Sequence, residues 1–475
     1  MAVIEIRDAI HTRITLSERE REVLDHPYVQ RLRHIRQLGF VPLVYPSATH
    51  DRFSHSLGTM HLAGRLAETI FTNDSVSILA RTLGVREKNF LAGILRLAGL
   101  LHDVGHAPFS HSAELAMPPV ASLALPRAWM KNPRDTRTAT HEDYSALLIA
   151  GMAEGSGAVL TPDEAAIIAS LVHHKKIRIP PAWHKALPGR RDASALHGIM
   201  RSLISSNIDA DRMDYLLRDA HFTGVPYGHF DLDWLISTIG VITYRGEYTL
   251  AIAESSIHAL EHFLFARAHM YAQVYMHKTA KCFEYFFRQA LAQGELAYAI
   301  PADREGFIQL RDSTLDEELF RIAQKNPSSW AGRLMARAPA KRIARVTDHP
   351  REAQKLYRAL SRALAPKKIR IFLCSSHKSF LETPRSRPAS VRGRQGLFLS
   401  DLAAVPLAVV RDQTGVRTAA SLADHSSLLA QYQRDIRIDD IYIMPEEYAL
   451  HRGAITDAMK KHRVLAPSEI ILDSE

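Results

Sequence analysis

An imidazole and a carboxylate stand side by side at His102-Asp103, and two more histidines, His106 and His111, follow within ten residues. They come directly off an apolar run, about residues 90–101, that reads as a buried helix. Burying such a pair is costly unless its members are paired, hydrogen-bonded or bound to a metal. A metal is the sharpest reading, although a His-Asp pair alone also makes an ordinary structural hydrogen bond. The decision rests on partners elsewhere in the chain.

The elements that must bring partners to this pair can be read from the pattern. Arg52-Phe53-Ser54-His55-Ser56-Leu57-Gly58 opens a helix reaching about Phe71, so His55 sits near its start, where a side chain can enter a cleft between helices. Residues 207–219 read as a carboxylate-rich helix on which Asp211, Tyr215 and Asp219 recur every four residues and share a face. A salt-bridged amphipathic helix has the same spacing. A long helix is expected over about residues 256–290, with Arg267, Tyr271, Tyr275 and Lys278 close to one face, as an aromatic core stripe would also be. Gln30-Arg31-Leu32-Arg33 falls on a helix of about residues 27–38, with Pro27 in its first turn and Gly39 at its end.

The other segments frame these. Residues 4–7 alternate as a short strand, residues 117–140 form a long proline-containing loop, and helices begin at His141-Glu142 and, behind a capping box, at Thr161. A second basic loop is expected over residues 174–193, and a hairpin pairs 241–244 with 248–251. Beyond about residue 300 two helical patterns reach about Ala365, followed by short β-like runs at 368–373, 396–399, 407–410 and 440–444, with a mobile basic loop over 375–395. The expected fold is mainly α: a helical core over residues 1–300 and a smaller α+β C-terminal region over 301–475.

Composition sets wider bounds. With 475 residues, 46% hydrophobic and 23% charged, the chain has the makeup of a soluble globular protein. Its two cysteines, Cys282 and Cys374, exclude a disulfide framework and a cysteine-based zinc site. With no signal-like start and no apolar run long enough to span a bilayer, a cytoplasmic protein without a membrane partner is expected. The net charge of +9 favours anionic ligands, without separating a polyanion from a triphosphate.

Together His55, His102, Asp103 and Asp211 offer two imidazoles and two carboxylates, a mixed set suited to a divalent ion such as Mn, Fe, Zn, Ni, Co or Mg, with coordination positions left for water and substrate. These residues and their order resemble the HD-domain metallohydrolases, and within them the deoxynucleoside triphosphate triphosphohydrolases, which include the sterile-alpha-motif HD enzyme of animals and bacterial dGTPases. The resemblance covers roughly residues 1–290 and rests on 30–33, Gln37-Leu38-Gly39, 52–58, 102–111 and 211–219. It implies that His55, His102, Asp103 and Asp211 ligate the metal. It also implies that His111 with Glu114 forms a catalytic His-acid dyad, and that His106 and His141 are further active-site histidines. By the same resemblance Arg52, Arg212 and Lys278 hold a triphosphate, Tyr215 and Asp219 contact the sugar, Tyr275 with Leu38 crowds a ribose 2′-hydroxyl, and Gln37, Arg267 and Tyr271 complete the pocket.

Two positions depart from the family and bear on base preference: Met276 stands where glutamine is frequent, and Arg212 where the animal enzyme has lysine. Asp25, Gln30 and Arg33 match positions of a regulatory nucleotide site, whose preceding basic residue has no counterpart around Ile4. The resemblance further implies a homo-oligomer. The leading expectation is hydrolysis of a dNTP to deoxynucleoside and triphosphate. The rivals are an HD phosphodiesterase or nuclease acting on nucleic acid or another nucleotide, and a non-catalytic nucleotide sensor.

Overall fold

The apolar run before His102 is the C-terminal half of a helix, Val85–Leu101, packed along the Arg52–Thr72 helix with Leu62, Leu66, Leu95 and Ala98 fully buried. Both start where their sequences provide a cap. Asp51 accepts the Ser54 N–H, and Glu87 reaches back to the Gly84 N–H. This is seen in a computed structural model that describes residues 4–173, 175–244, 246–378, 407–413, 416–421, 426 and 436–462. Around the pair lie the helices His141–Gly151, Pro162–Val172, Ala193–Ile204 and Ala210–Thr223. One apolar core extends from Ile14 through these helices to Phe372 and Tyr442 in the C-terminal region.

Strands are few. β1 (Ile4–Asp8) and β2 (Thr12–Leu16) form an antiparallel hairpin in the register Ile6↔Ile14. β3 (Ile239–Tyr244) and β4 (Glu247–Ala253) form the expected second hairpin, and β7 (Leu407–Gln413) joins β4 in parallel with β8 (Val416–Ser421) at its side. β5 (Lys341–Thr347), β9 (Ile436–Ile443) and β6 (Ile371–Lys378) make an antiparallel sheet in the order β5-β9-β6. Against it pack the helices Pro350–Leu364 and Pro445–His462, burying a second core of Ile343, Leu356, Leu360, Ile441 and Ile455. The chain is mainly helical with a smaller sheet-containing C-terminal region, as its pattern predicts. Among the described residues no helix is long and apolar enough to cross a membrane.

Four local expectations are corrected. The helix expected to Leu38 is α only over Pro27–Gln30, tightens to a 3₁₀ turn at Arg31–His34 and ends at Ile35, which is extended. The Arg36 N–H there bonds to Asp312 and the Gln37 N–H to the His50 carbonyl, so Gln37 and Leu38 lie on a pinned loop. The 256–290 helix is interrupted: Ile257–Met270 passes into a π turn at Tyr271–Tyr275, and His277 leaves the helix to cap a new one, Lys278–Ala292, by accepting the Thr279 N–H on its ring nitrogen. The 174–193 loop contains the Pro181–Ala186 helix, anchored by fully buried Trp183. Beyond residue 300, β5 divides the two expected helical patterns, and residues 375–378 belong to β6. The runs 396–399 and 379–395 lie outside the described residues.

Candidate metal centre

Three helix ends converge. The Asp51 cap places His55 in the first turn of its helix, His102 and Asp103 leave the end of the next, and Asp209, accepting the Arg212 N–H, caps the helix that presents Asp211. His55 Nε2 lies 3.1 Å from Asp211 Oδ1 and 3.8 Å from Asp103 Oδ2, and His102 Nε2 lies 3.5 Å from Asp211 Oδ1 and 3.4 Å from Asp103 Oδ1. The other ring nitrogens are committed. His55 Nδ1–H donates to Asp214 Oδ2 at 2.8 Å, and His102 Nδ1–H to the Gly99 carbonyl at 2.8 Å. Each Nε2 is therefore left with a lone pair, buried and making no hydrogen bond, turned toward carboxylate oxygens.

Lone pairs facing anions repel unless a cation lies between them, so this donor set fits a divalent ion. Without metal a proton is the substitute. Burial would lower the His55 pKa, but the nearby Asp211 and Asp214 carboxylates outweigh it and raise the value to about 10. Asp211 moves the opposite way: burial would raise it, and the His102 and His55 rings hold it well below the carboxylate range. Proton and metal compete for the same nitrogen.

Asp103 links this cluster to a second. Its Oδ1 is 3.4 Å from His106 Nε2, and His106 stacks on His141 with centroids 4.0 Å apart. Glu114 Oε1 accepts from His141 Nδ1 at 2.5 Å and from His111 Nδ1 at 3.0 Å. Burial, Arg52 and His141 push His106 well down, while Glu114 overcomes burial to raise His141, so the two stacked rings are shifted in opposite directions. Gly105 is required here: a Cβ would fall 2.1 Å from the Ser145 nitrogen and 2.3 Å from the His141 carbonyl oxygen. The His106–His111 segment is also strained, with Phe109 and Ser110 at φ of 55° and 54°. Asp312 holds it from outside by accepting the Phe109 N–H at 3.0 Å.

Beside His141, Glu142 Oε2 and Asp143 Oδ1 each stand 2.9 Å from a His173 ring nitrogen, and Arg137 forks onto Asp143 at 2.7 and 2.6 Å. Burial would raise the Glu142 pKa, but the His173 ring brings it from 4.5 down to about 2. A depressed carboxyl adds stability that is present above pH 4.5 and lost as pH falls toward 2. Urea-unfolding free energy should accordingly decline across that interval in the natural protein and less steeply in Glu142→Gln, which has no charge to lose. Parallel curves for the two proteins would remove Glu142 from the acid response.

The remaining residues singled out in the sequence fall into three groups. Arg52 is buried, its guanidinium on Asp103 and on Ser110 Oγ at 2.8 Å. Gln37, Leu38, Ser110, His111 and Tyr275 line a cavity of about 150 Å³, and Tyr271 and Tyr275 border a second of about 340 Å³ that reaches β6. Tyr275 donates to Asp219 Oδ2 at 2.5 Å, the Tyr215 and Tyr271 hydroxyls are 3.5 Å apart, and the Arg267 guanidinium lies 5.8 Å from the Tyr271 ring centre. Arg212 instead turns to the Ser206 carbonyl at 2.5 Å and to Asp209, and the Lys278 carbonyl accepts from Tyr442; neither residue lines the two cavities.

Sequence reasoning passed over Asp214, His50 and Asp312. His50 donates to Asp219 Oδ1 at 2.7 Å and stacks on Phe222. For Asp214 a local signal existed, since Arg218 follows it by four residues as a helical ion pair. For Asp312 there was none.

Comparison with known proteins follows the same outline. Residues 52–219 match the HD domain, and residues 230–365 match the HD associated region. An uncharacterized protein of Methanocaldococcus jannaschii is 34% identical over 287 residues, 60% of this chain and 49% of that protein. The uncharacterized protein YwfO of Bacillus subtilis is 32% identical over 55% of this chain and 49% of its own length. Deoxynucleoside triphosphate triphosphohydrolase SAMHD1 of Gallus gallus is 26% identical over 76% of this chain and 56% of its own. The chain spans about half the length of the curated relatives it matches. Among solved structures, a hypothetical protein from Aquifex aeolicus superposes over 96% of this chain and all of that one, with a TM-score of 0.67 at 24% identity. A phosphohydrolase from Bacteroides thetaiotaomicron covers 93% of this chain with a TM-score of 0.62 at 21% identity, so both are likenesses of fold. With the His-Asp cluster inside the first matched region, the chain carries an HD domain, a kind of domain that binds divalent metal ions, followed by an HD associated region.

Proposed function

We propose that this protein hydrolyses a deoxynucleoside triphosphate at the α-phosphorus, releasing a deoxynucleoside and inorganic triphosphate. The observation that carries the reading is the adjacency of two groups: buried His55, His102 and Asp103 with half-buried Asp211, and the His106, His111, Glu114 and His141 group joined to it through Asp103. The SAMHD1 relatives, which carry this activity in their names, support the choice of substrate.

A divalent ion held by the first four residues would supply Lewis-acid polarisation of a phosphoryl oxygen. The protein's own groups do the rest. With Nδ1 anchored on Glu114, the His111 ring presents Nε2 for proton transfer as water adds to the α-phosphorus and the bond to the 5′-oxygen breaks, the departing oxygen taking up a proton. His106 and His141 flank that path, and the Glu114 carboxylate makes the His141 ring the more basic of the two. Arg52, Arg212 and Lys278 are assigned to the triphosphate, a task for long cationic side chains with several donors. Tyr215 and Asp219 take the sugar, Tyr275 and Leu38 exclude a 2′-hydroxyl, and Gln37, Arg267 and Tyr271 close the pocket. Tyr275 suits its part because its hydroxyl is tied to Asp219, which fixes the ring as a wall.

The test is product analysis of metal-supplemented protein with each dNTP and rNTP, resolving triphosphate, pyrophosphate and phosphate, with a further nucleotide added as activator in a parallel set. Triphosphate from dNTPs alone is the expected result. Protein confirmed to hold metal that releases no triphosphate from any nucleotide, with or without activator, overturns the reading in favour of a phosphodiesterase or nuclease, or of a nucleotide sensor. The cavity that continues past Tyr275 to β6 is the feature that would accommodate a longer substrate. A homo-oligomer in the cytoplasm belongs to the same proposal, with light scattering as the check on assembly.

A further inference from the structure

On the side of His55 away from the candidate ligands, Asp214 is the centre of a buried network that includes Arg218 and two of the first eleven residues, Asp8 and His11. Asp214 Oδ2 accepts from His55 Nδ1 at 2.8 Å and from Arg218 Nε at 2.9 Å, and Oδ1 accepts from His11 Nε2 at 2.7 Å and from Arg218 Nη2 at 2.9 Å. Arg218 in turn forks onto Asp8 at 2.9 and 3.2 Å, and Asp8 Oδ1 also accepts the Ile10 and His11 N–H groups, shaping the turn between β1 and β2. The His11, Asp214, Arg218 and His55 side chains are each at most 3% exposed. The carboxylate lies close against the neighbouring helix. Its Oδ1 sits 1.8 Å from where a Cβ on Gly58 would stand, wedged against the backbone of the helix that presents His55.

We propose that the N-terminal hairpin turn is a positioning element of the metal site: through Asp214, His11 sets the tautomer and orientation of His55, so that docking of residues 4–16 and divalent-metal binding are coupled. This rests on metal binding at the His55 cluster and not on which nucleotide is hydrolysed. A ligating imidazole performs best when its second nitrogen donates to a fixed acceptor, and Asp214 is fixed only while three donors hold its two oxygens. Removing His11 leaves Oδ1 with Arg218 alone and frees the carboxylate to turn. A two-stranded hairpin is marginal by itself, so the stability of this one comes from what it docks on. Coupling of the two equilibria is reciprocal: a metal that tightens the His55–Asp214 bond also tightens the hairpin.

The test uses the whole protein and Mn²⁺ as the probe, with Mn²⁺ affinity from titration and hydrogen exchange of residues 4–16 with and without Mn²⁺. His11→Ala is expected to weaken Mn²⁺ binding by roughly 10- to 100-fold, and His11→Gln, which retains a donor, to recover part of the loss. Arg13→Ala, an exposed change in the same hairpin, should stay within about twofold of the natural protein, as expected for a surface ion pair. Hairpin amides should exchange more slowly with Mn²⁺ than without it. A folded His11→Ala that binds Mn²⁺ as tightly as the natural protein overturns the proposal. Should that variant fail to fold, hairpin exchange in the natural protein that is indifferent to Mn²⁺ overturns it equally. A hairpin with a merely structural role would lower the melting temperature and leave Mn²⁺ affinity unmoved.

Discussion

Asp211→Ala should purify folded, hold no divalent metal and lose hydrolysis by at least about a thousandfold, since several kcal/mol of charge stabilisation go with the ion. The Asp211 carboxylate faces both imidazole nitrogens, 3.1 Å from His55 and 3.5 Å from His102, and its helix begins only one residue earlier. Its loss leaves Asp103 as the remaining candidate carboxylate, and Arg52 already claims one oxygen of that group. The folded state should tolerate the change because the Asp211 side chain is 31% exposed. Metal analysis of the purified variant, read beside its rate, separates the alternatives. Full metal content with a lost rate would make Asp211 a substrate-contacting residue; full metal content with a full rate would remove it from the site.

Local pattern made the site's first layer legible and left its supports hidden. His102-Asp103 declares itself because a helix that ends in a buried charge pair needs a reason, and His55 and Asp211 each sit one turn or less from a side-chain cap that sequence can find. The supports escape because their partners are distant in sequence: His11 and Asp214 are 203 residues apart, as are Phe109 and Asp312. Periodicity failed where a side chain competed with the backbone. His277 turned an expected continuous helix into two by capping the second with its own ring, so the spacing of Arg267, Tyr271, Tyr275 and Lys278 crosses a π turn and a break. Individual β-runs were visible beyond residue 300, but the order β5-β9-β6 pairs Lys341 with Ile443, far apart in sequence, which period-2 alternation cannot encode.

Arg218→Met should cost about 3–5 kcal/mol of stability, the range for breaking a buried ion pair by removing one partner. The guanidinium makes four hydrogen bonds to two carboxylates, and at 1% exposure it has no water to replace them. Methionine fills much of the space and supplies no donor, so Asp214 and Asp8 are left with His11, His55 and backbone N–H groups to hold two buried charges. An exposed pair on the same scaffold is the measure of how much burial matters. Arg65 lies 2.7 Å from Asp233, which is 84% exposed, and Arg65→Met should cost no more than about 1 kcal/mol. Urea unfolding of the three proteins at neutral pH provides the comparison, with equal slopes required before midpoints are converted to free energies. A loss below about 1 kcal/mol for Arg218→Met would mean that the network relaxes around the missing charge. Asp214 would then be a poor anchor for His55, which makes this measurement a check on the metal site made without any metal.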